Sequence, residues 1–408
     1  MRPKVLLVGY NGANNTGAEA KLLVVIDELR QVMGPKAELQ VASLNVANIQ
    51  RYLKEGQNLK IKPLRPALFP LDTRKLVKQT DLVMLVEGST YMDTWGAPLL
   101  WYYLLATRYA KQMKKPCIAY SVDAGNASDF NSRQIRREAS KTDLILARTQ
   151  NTAQRLRGWG VRAPIEVTAD NAFAFHPRPE DQNILRHVWP EAKHVVGVAA
   201  EDIYQWPVRI RPWDSKKYRY RWPYYYSHSK ERLEKAESLA DVLAAEADEI
   251  IEQYDKDIAL LSMEELDVPF AHKVKRLMKH TDRARVFTAI EYNASQMTSI
   301  LQSLDALITS RYHAGVLSLP NQVPQAAIGH DLRIEDLYSE LDIPELYVDH
   351  EDPDRFTALS DNVETLFNER NAIQSKLQKG YEEHSRREQR NVRLFRAFLE
   401  TNYPSWLN

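Results

Sequence analysis

Uniformly apolar segments alternate along the chain with longer segments in which apolar residues recur at helical spacing. In the first half, a Gly/Asn-rich loop follows the apolar segment 4–10, and a helical pattern runs from about Gly17 to Met33. Further apolar segments lie at 37–44, 80–88, 115–125, 142–148 and 164–173. Strands that are apolar on both faces are typical of a parallel sheet covered by helices on both sides. The first half therefore predicts an α/β domain.

The second half repeats this alternation. A helical pattern covers 227–254, and apolar segments predict strands at 194–201, 257–263, 284–290, 305–311 and 323–330. The stretch 175–183, rich in Pro and charged residues, separates the two halves. The predicted fold class is α/β, with two tandem doubly wound Rossmann-like domains that face a cleft. We expect the N-terminal domain, the C-terminal domain and a helical tail to cover 1–178, 184–385 and 386–408.

Composition and charge exclude several classes of protein. The chain has 55 Lys and Arg against 54 Asp and Glu, so the net charge of +1 does not indicate nucleic-acid binding. Cys117 is the only cysteine, so no intrachain disulfide can form, and we expect no metal site. No apolar stretch is long enough to cross a bilayer, and we interpret the first apolar run as a strand. We expect a cytoplasmic protein, with peripheral contact at the inner face of the cell membrane as a further expectation.

The segment TSRYHAG (309–315) places charged groups where a second-domain strand should end and a helix begin. Ligands of doubly wound sheets bind at the carboxyl ends of strands, and a helix N-terminus favours an anion. Arg311 offers a planar pair of donors to a phosphate or carboxylate, and His313 can exchange a proton near neutral pH. The alternative is a salt-bridged Arg311 and a His313 that hydrogen-bonds a loop carbonyl.

The segment 207–226, here called the basic-aromatic insertion, contains six Lys or Arg residues, seven aromatic residues and one acid, Asp214. It lies between the first strand of the second domain and the long helix, so it should project toward the cleft. Aromatic faces stack on sugar rings, and cations bind diphosphates or anionic lipid headgroups. The alternative is an insertion that packs on its own domain.

Several motifs, taken in their order, resemble those of the polysaccharide pyruvyl transferase family. SRYHAGVLSLPNQVPQAAIGHDLRIEDL (310–337) is similar to its Ser-Arg-x-His signature and to the helix, strand and His-Asp-x-Arg element that follow. The likeness extends from Val5 to about Leu337. Four upstream segments resemble further family elements: GYNGANNTGAEA, VEGSTYMDTWG, LILARTQNTAQRL and VTADNAF.

The resemblance implies a GT-B-like fold and a transferase that moves the enolpyruvyl group of phosphoenolpyruvate onto two hydroxyls of one sugar, giving a cyclic ketal. Phosphoenolpyruvate would be the co-substrate, and no cofactor is expected. Its phosphate and carboxylate require at least two cationic groups. The resemblance assigns catalysis to Arg311 and His313, and donor binding to Arg148, Arg311, Tyr312 and Arg333.

Structural alternatives accompany these assignments. Arg148 could simply pair with Asp143 or Glu138 and have no role in binding. Arg333 could be a surface cation. Asp170 is expected mainly to cap the segment that follows it and to order the interdomain linker.

The acceptor would be a glycan or a lipid-diphosphate-linked saccharide. The family binds it in the N-terminal half, where this chain departs from the pattern: Ala18 stands where the family has Asp, and Glu87-Gly88-Ser89 where it has three glycines. The candidate acceptor ligands are Asn14, Asn15, Glu19, Glu87, Arg219, Arg221 and Trp222. The first three could instead only cap the first helix.

Two other functions stay open. A GT-B glycosyltransferase would use a nucleotide-sugar donor and a ribose-binding carboxylate, for which Glu335 is the available candidate. A non-catalytic glycan-binding relative would account for the altered loops, although the intact Arg311 and His313 argue against it. The sequence is compatible with an oligomer.

Overall fold

The computed structural model describes residues 3–407 of the chain, and they form two α/β domains. Within that range the first domain contains a seven-stranded parallel sheet in the order β3-β2-β1-β4-β5-β6-β7. Its strands are β1 (Lys4–Val8), β2 (Glu38–Ser43), β3 (Leu59–Pro63), β4 (Leu82–Leu85), β5 (Cys117–Val122), β6 (Leu144–Ala147) and β7 (Ile165–Val167). Its helices are α1 (Thr16–Met33), α2 (Val46–Gln50), α3 (Phe69–Lys78), α4 (Ala97–Gln112), α5 (Asp129–Ala139) and α6 (Gln150–Gly158).

The second domain repeats this plan. Its parallel sheet runs in the order β13-β12-β8-β14-β15-β16 and contains β8 (Val195–Ala199), β12 (Asp257–Ser262), β13 (Ala284–Thr288), β14 (Ala306–Thr309), β15 (Gln325–Gly329) and β16 (Tyr347–Asp349). Its helices are α7 (Ile184–Val188), α8 (Lys230–Tyr254), α9 (Val268–Leu277), α10 (Ala294–Gln302), α11 (Tyr312–Ser318), α12 (Leu332–Glu340) and α13 (Arg355–Asn368). Two further helices follow, α14 (Arg370–Glu388) and α15 (Arg390–Asn402).

The strand order reverses beside the first strand of each sheet, between β1 and β4 and between β8 and β14. At such a switch point the following loops diverge and leave a crevice at the carboxyl ends of the strands. The loops of the two domains meet there: the Thr16 amide donates to the Met263 carbonyl (2.9 Å), and Asn15 pairs with Glu264 through the backbone. The predicted fold class is therefore confirmed.

Sequence reasoning missed the edge strands β3 and β16. The β3 sequence, LKIKP, alternates apolar with charged residues, and only its apolar positions are fully buried. An edge strand is solvated on one side, so it lacks the uniformly apolar run that marks the central strands. β16 is too short to stand out from the loops around it.

The C-terminal helices connect the second domain back to the first. The boundary placed at 385 from the sequence falls within α14, which runs on to Glu388. Phe395 and Leu399 of α15 are fully buried in the first-domain core that also includes Val25 and Tyr120. Across residues 3–407, no helix has both the length and the hydropathy needed to cross a bilayer.

The basic-aromatic insertion folds into a small antiparallel sheet in the order β10-β11-β9, made of β9 (Arg209–Ile210), β10 (Arg219–Arg221) and β11 (Tyr224–Tyr225). Trp206, Val208 and Tyr224 form a separate apolar cluster that packs against Trp95 of the first domain. The Val208 amide donates to the Trp95 carbonyl (3.1 Å). The insertion therefore packs across the domain boundary and not only on its own domain.

Truncation of Phe395 tests this C-terminal connection. We expect Phe395→Ala to lower the free energy of unfolding by about 3–5 kcal/mol, because it opens a cavity between α15 and the first-domain core. Urea denaturation measures the change. Arg393→Ala, on the exposed side of α15, serves as the control and should shift stability by less than about 0.5 kcal/mol. Equal effects of the two substitutions would contradict the packing of α15.

Candidate functional site

A cleft between the domains is lined by the loops at both switch points. The first domain contributes Tyr10 and Asn15 after β1, Glu87 and Ser89 after β4, and an apolar wall that includes Leu64, Phe69, Trp95 and Tyr102. The second domain contributes Glu201 after β8, Glu264 after β12, Arg311, Tyr312 and His313 after β14, and Asp331 and Arg333 after β15. The insertion adds Tyr220, Arg221 and Tyr224.

The Tyr312 ring brings together cations from both domains. The Arg148 guanidinium lies 4.1 Å from the ring centroid, and the Arg333 guanidinium lies 5.9 Å from it and 5.3 Å from the Trp95 centroid. His313 meets the same ring edge-on at 5.0 Å. Arg333 is only 8% exposed, so the alternative that it is a surface cation is wrong. The predicted donor-binding residues Arg148, Tyr312 and Arg333 thus lie within one contact network, but only Tyr312 and Arg333 line the cleft, and Arg148 is buried outside its lining.

Arg148 is fully buried and paired with two carboxylates. Its Nε donates to Asp123 Oδ2 (2.8 Å), and its Nη1 pairs with Asp170 Oδ2. The proposed alternative partners are wrong, because Asp143 accepts from the Cys117 amide and Glu138 is bound by other cations. The two carboxylates compensate for the cost of burying a cation.

Gly88 makes room for this arginine. A side chain at position 88 would begin 2.6 Å from Arg148 Nη1, closer than van der Waals contact permits. Where the family has three glycines, this chain therefore retains the one that lies next to Arg148.

Asp170 joins Arg148 to a second buried cation, Lys21 of α1. Lys21 Nζ lies 2.9 Å from Asp170 Oδ1 and 2.7 Å from Asn171 Oδ1. Burial raises the pKa of Asp170, but the charges of Lys21 and Arg148 outweigh it and hold this pKa well below its usual value. Asp170 Oδ1 also accepts from the Ala172 amide (2.9 Å), so the expected cap of the segment that follows is confirmed.

His313 of the second domain lies against Asp170 and Gly17 of the first domain. Its Nε2 is 3.4 Å from Asp170 Oδ2. Burial lowers the pKa of His313 below its usual value; Asp170 only partly offsets this shift, and the nearby cations Arg148 and Lys21 add to it. A side chain at Gly17 would begin 2.1 Å from His313 Nδ1, so only glycine at this position of α1 leaves space for the imidazole.

Arg311 is surrounded by three carboxylates. Its Nε donates to Asp267 Oδ2 (3.0 Å), its Nη2 lies 3.1 Å from Glu201 Oε2, and its Nη1 lies 3.6 Å from Glu264 Oε2. The salt-bridge alternative for this residue is thus present in the structure. Burial raises the pKa of Glu201 to about 7 and that of Asp267 to about 6, although Arg311 opposes both shifts. Protons can therefore reside on this cluster near neutral pH.

Glu264 is reached from the first domain by two side chains. The Tyr10 hydroxyl donates to Glu264 Oε1 (2.9 Å), and Asn15 Nδ2 donates to Glu264 Oε2 (2.8 Å). Asn15 Oδ1 also accepts from the Ala18 amide, which confirms that Asn15 caps α1. The Tyr10 hydroxyl also contacts that of Tyr220 in the insertion. These contacts form a polar bridge across the cleft.

The other predicted acceptor ligands fall into two groups. Asn15, Glu87 and Arg221 line the cleft, and Glu87 Oε2 accepts from the Tyr10 amide (3.3 Å). The structure places the remaining four outside the cleft lining: Asn14 against Glu265, Glu19 against the Ala294 amide at the start of α10, and Arg219 and Trp222 exposed to solvent.

A family model of polysaccharide pyruvyl transferases matches residues 15–331, which is most of the chain. The matched range includes every strand-end residue named above in the cleft lining except Tyr10 and Arg333. The chain belongs to the polysaccharide pyruvyl transferase family. It is therefore a transferase. No curated protein sequence matches the chain with significant similarity.

Solved structures with low sequence identity share the fold of this pyruvyl transferase. UDP-GlcNAc 2-epimerase from Neisseria meningitidis, solved with UDP-GlcNAc, has a TM-score of 0.64 at 11% identity over 98% of this chain and 100% of that chain. S. aureus MnaA, solved with UDP, has a TM-score of 0.62 at 11% identity over 92% and 91% of the two chains. Trehalose 6-phosphate synthase from Burkholderia multivorans reaches 0.57 at 9% identity over 99% and 97%. These similarities confirm the GT-B architecture.

Sequence reasoning missed several charged or hydroxyl groups of the site. They are Tyr10, Lys21, Asp123, Glu201, Glu264, Asp267 and Asp331. Most follow directly on a parallel strand, which is the same signal that identified Arg148 and Arg311. Lys21 gave no such signal, because a lysine in a helical pattern is normally exposed.

Glu19 generates a prediction about pH. Burial raises the pKa of Glu19 to about 8, against 4.5 for an exposed glutamate. The folded protein therefore holds a proton that the unfolded chain releases, and stability should fall as pH rises through this window. We expect wild type to lose about 2–5 kcal/mol relative to Glu19→Gln between roughly pH 5 and pH 8. Below pH 4.5, where Glu19 is protonated in both the folded and the unfolded chain, the two proteins should be about equally stable. If their stabilities changed in parallel between roughly pH 5 and pH 8, the raised pKa of Glu19 would be contradicted.

Proposed function

We propose that this pyruvyl transferase takes the enolpyruvyl group from phosphoenolpyruvate and joins it to two hydroxyls of a glycan as a cyclic ketal. The arrangement around Tyr312 carries the proposal: guanidinium groups from both domains contact one ring, with an imidazole at its edge. A small dianionic or trianionic donor needs two cationic contacts and one proton-exchanging group close together. Family membership supports the same donor chemistry.

Donor binding is assigned to the cations around Tyr312. Arg148 Nη2 has no hydrogen-bond partner within residues 3–407, and Arg333 uses its Nε and Nη2 on Asp331. Arg333 lines the cleft and has a hydrogen-bond donor left for a phosphate or carboxylate oxygen, whereas Arg148 is fully buried outside the cleft lining and would act on phosphoenolpyruvate through its charge. Arg311 uses its Nε and Nη2 on Asp267, so its Nη1 is the donor that would reach the substrate.

His313 is assigned the proton transfers of the reaction. Protonation of the methylene carbon of phosphoenolpyruvate places positive charge on C2, and the first sugar hydroxyl adds there and loses its proton. The C2–O bond to phosphate then breaks, and the second hydroxyl adds and loses its proton. The products are the pyruvate ketal and inorganic phosphate. Burial lowers the pKa of His313, and Asp170 opposes that shift, so the carboxylate stabilises the imidazolium form that the first step requires.

The acceptor is assigned to the aromatic and acidic part of the cleft. Phe69, Trp95, Tyr102, Trp206 and Tyr224 line it, and such faces stack on sugar rings. Carboxylates in the same lining can accept hydrogen bonds from sugar hydroxyls.

Phosphate release tests the function directly. Purified protein should release inorganic phosphate from phosphoenolpyruvate only when a suitable glycan is present, and the product should carry a pyruvate ketal by mass spectrometry. A panel of soluble and lipid-linked saccharides supplies the acceptors. Consumption of a nucleotide sugar, with no phosphate released from phosphoenolpyruvate, would instead support the glycosyltransferase alternative.

Replacement of His313 tests the proton transfer. We expect His313→Gln to lower turnover by ~10²–10⁴-fold, because glutamine keeps the hydrogen bonding but cannot titrate. Donor affinity measured by calorimetry should stay close to that of wild type. His194→Gln, at an exposed histidine on the opposite end of β8, is the matched control. Turnover by His313→Gln at the wild-type rate would assign the proton to another group.

Replacement of Arg333 tests donor binding. Arg333→Lys keeps the charge but loses the planar stacking on Tyr312 and Trp95, so phosphoenolpyruvate should bind roughly tenfold more weakly. Arg285→Lys is the matched control, since Arg285 stacks on Phe287 (5.4 Å) on β13, away from the cleft lining. Calorimetric titration with phosphoenolpyruvate measures both. Equal affinities in the two variants would remove Arg333 from the donor site.

A further inference from the structure

Exposed apolar residues are concentrated beside the mouth of the cleft. Of the nine large apolar residues that are exposed within residues 3–407, five belong to the insertion or to the start of α3: Leu68, Leu71, Ile210, Trp213 and Trp222. Trp213 is 94% exposed and Leu71 is 66% exposed. Single exposed apolar residues are ordinary on a protein surface, but a group of this kind marks an interaction site.

Contacts join the segments that carry these residues. Ile210 of β9 pairs with Tyr224 of β11, and the Arg211 amide donates to the Pro223 carbonyl (3.1 Å), next to Trp222. The Tyr224 hydroxyl donates to the Pro66 carbonyl (2.9 Å) just before Leu68. The insertion and the start of α3, which belong to different domains, are therefore joined directly. We call the surface of Leu68, Leu71, Ile210, Trp213 and Trp222 the docking face.

Positive charge surrounds the docking face. Five exposed cations occupy the insertion: Arg209, Arg211, Lys216, Lys217 and Arg219. The one acid of the insertion, Asp214, is already paired with His228 (2.8 Å) and Arg211 (3.3 Å). Exposed aromatic residues within a basic rim match the interfacial region of a membrane that carries anionic lipids.

We propose that the docking face binds the surface of an anionic lipid bilayer. Trp213 and Trp222 enter the interfacial region, and the surrounding lysines and arginines contact the lipid phosphates. This partner explains why the largest side chains of the insertion lie outside the cleft lining, where they cannot touch a substrate. It also explains the exposure of Leu68 and Leu71, the two residues that the first domain contributes to the docking face.

Exposed residues of the insertion and of the start of α3 are neighbours in the chain of residues that line the cleft. Tyr220, Arg221 and Tyr224 line the cleft, whereas their neighbours Arg219 and Trp222 are exposed. In the first domain, Pro66 and Phe69 line the cleft and Leu68 and Leu71 are exposed. Binding to a bilayer would thus bring the mouth of the cleft to the membrane. The acceptor class that follows is a lipid-linked saccharide, and this last step rests on the proposed function.

Vesicle cosedimentation of the full chain tests the docking face without any substrate. Wild type should bind vesicles of equal parts phosphatidylglycerol and phosphatidylcholine, bind pure phosphatidylcholine weakly, and lose binding as salt rises. The double variant Lys216→Glu with Lys217→Glu should bind the anionic vesicles at least about tenfold more weakly. Trp213→Ala with Trp222→Ala should lose a similar amount of binding.

Matched controls separate this surface from charge and apolarity in general. Lys36→Glu with Lys193→Glu reverses two exposed lysines at the opposite, amino ends of the sheets. Leu277→Ala with Ile290→Ala removes two exposed apolar residues elsewhere. Both controls should bind the anionic vesicles as wild type does. Equal losses in the controls, or no binding by wild type, would overturn the proposal. A wild-type dimer that the tryptophan variant converts to a monomer would identify the face as an interface between copies and would also overturn it.

Turnover separates this inference from the proposed function. If docking is correct, the tryptophan variant should lose activity on a vesicle-embedded lipid-linked acceptor and keep it on a soluble saccharide with the same sugars. Vesicle binding without phosphate release from phosphoenolpyruvate would refute the proposed function and leave docking intact. Full activity on both acceptors without vesicle binding would refute docking alone.

Discussion

The buried carboxylate of Asp170 is the interaction on which both the fold and the site depend. It pairs with Lys21 from α1 and with Arg148 after β6, caps the segment after β7, and lies beside His313 of the second domain. Two cations buried at this depth would be costly without such a partner. The carboxylate therefore holds the first domain together where it meets the second, and it sets the charge around the imidazole.

Arg311 forms a second charged centre, in which carboxylates outnumber cations. Here one guanidinium contacts three carboxylates, Glu201, Glu264 and Asp267, whose pKa values are raised by burial and only partly lowered again by Arg311. In the first centre Lys21 and Arg148 are balanced by Asp123 and Asp170, whereas the second has more carboxylates than cations, and both adjoin the same cleft. The carboxylates of the second centre can accept protons from neutral hydroxyls that enter the cleft.

Contacts between the domains come from residues that would otherwise be ordinary loop positions. Asn15 caps α1 and donates to Glu264, and Tyr10 reaches the same carboxylate. Trp95 packs on Trp206, with ring centroids 5.0 Å apart. Side chains of the first domain that hydrogen-bond to the second domain or pack on it therefore join the two walls of the cleft.

The sequence by itself determined the two sheets, their central strands and the placement of Arg148, Arg311 and His313 at strand ends. Apolar periodicity and strand-end position are local signals, so they can be recognised from the sequence alone. The partners of those residues were decided by tertiary structure alone. Arg148 lies next to Asp123 and Asp170, far from it in the chain, and not beside the nearer Asp143. Lys21 resembled a solvent-facing helical lysine, and only the tertiary structure brings its ammonium group into buried contact with Ser121 of β5 and with Asp170 after β7. Charge pairing over such distances depends on which loops the two doubly wound sheets bring together, and no local pattern records it.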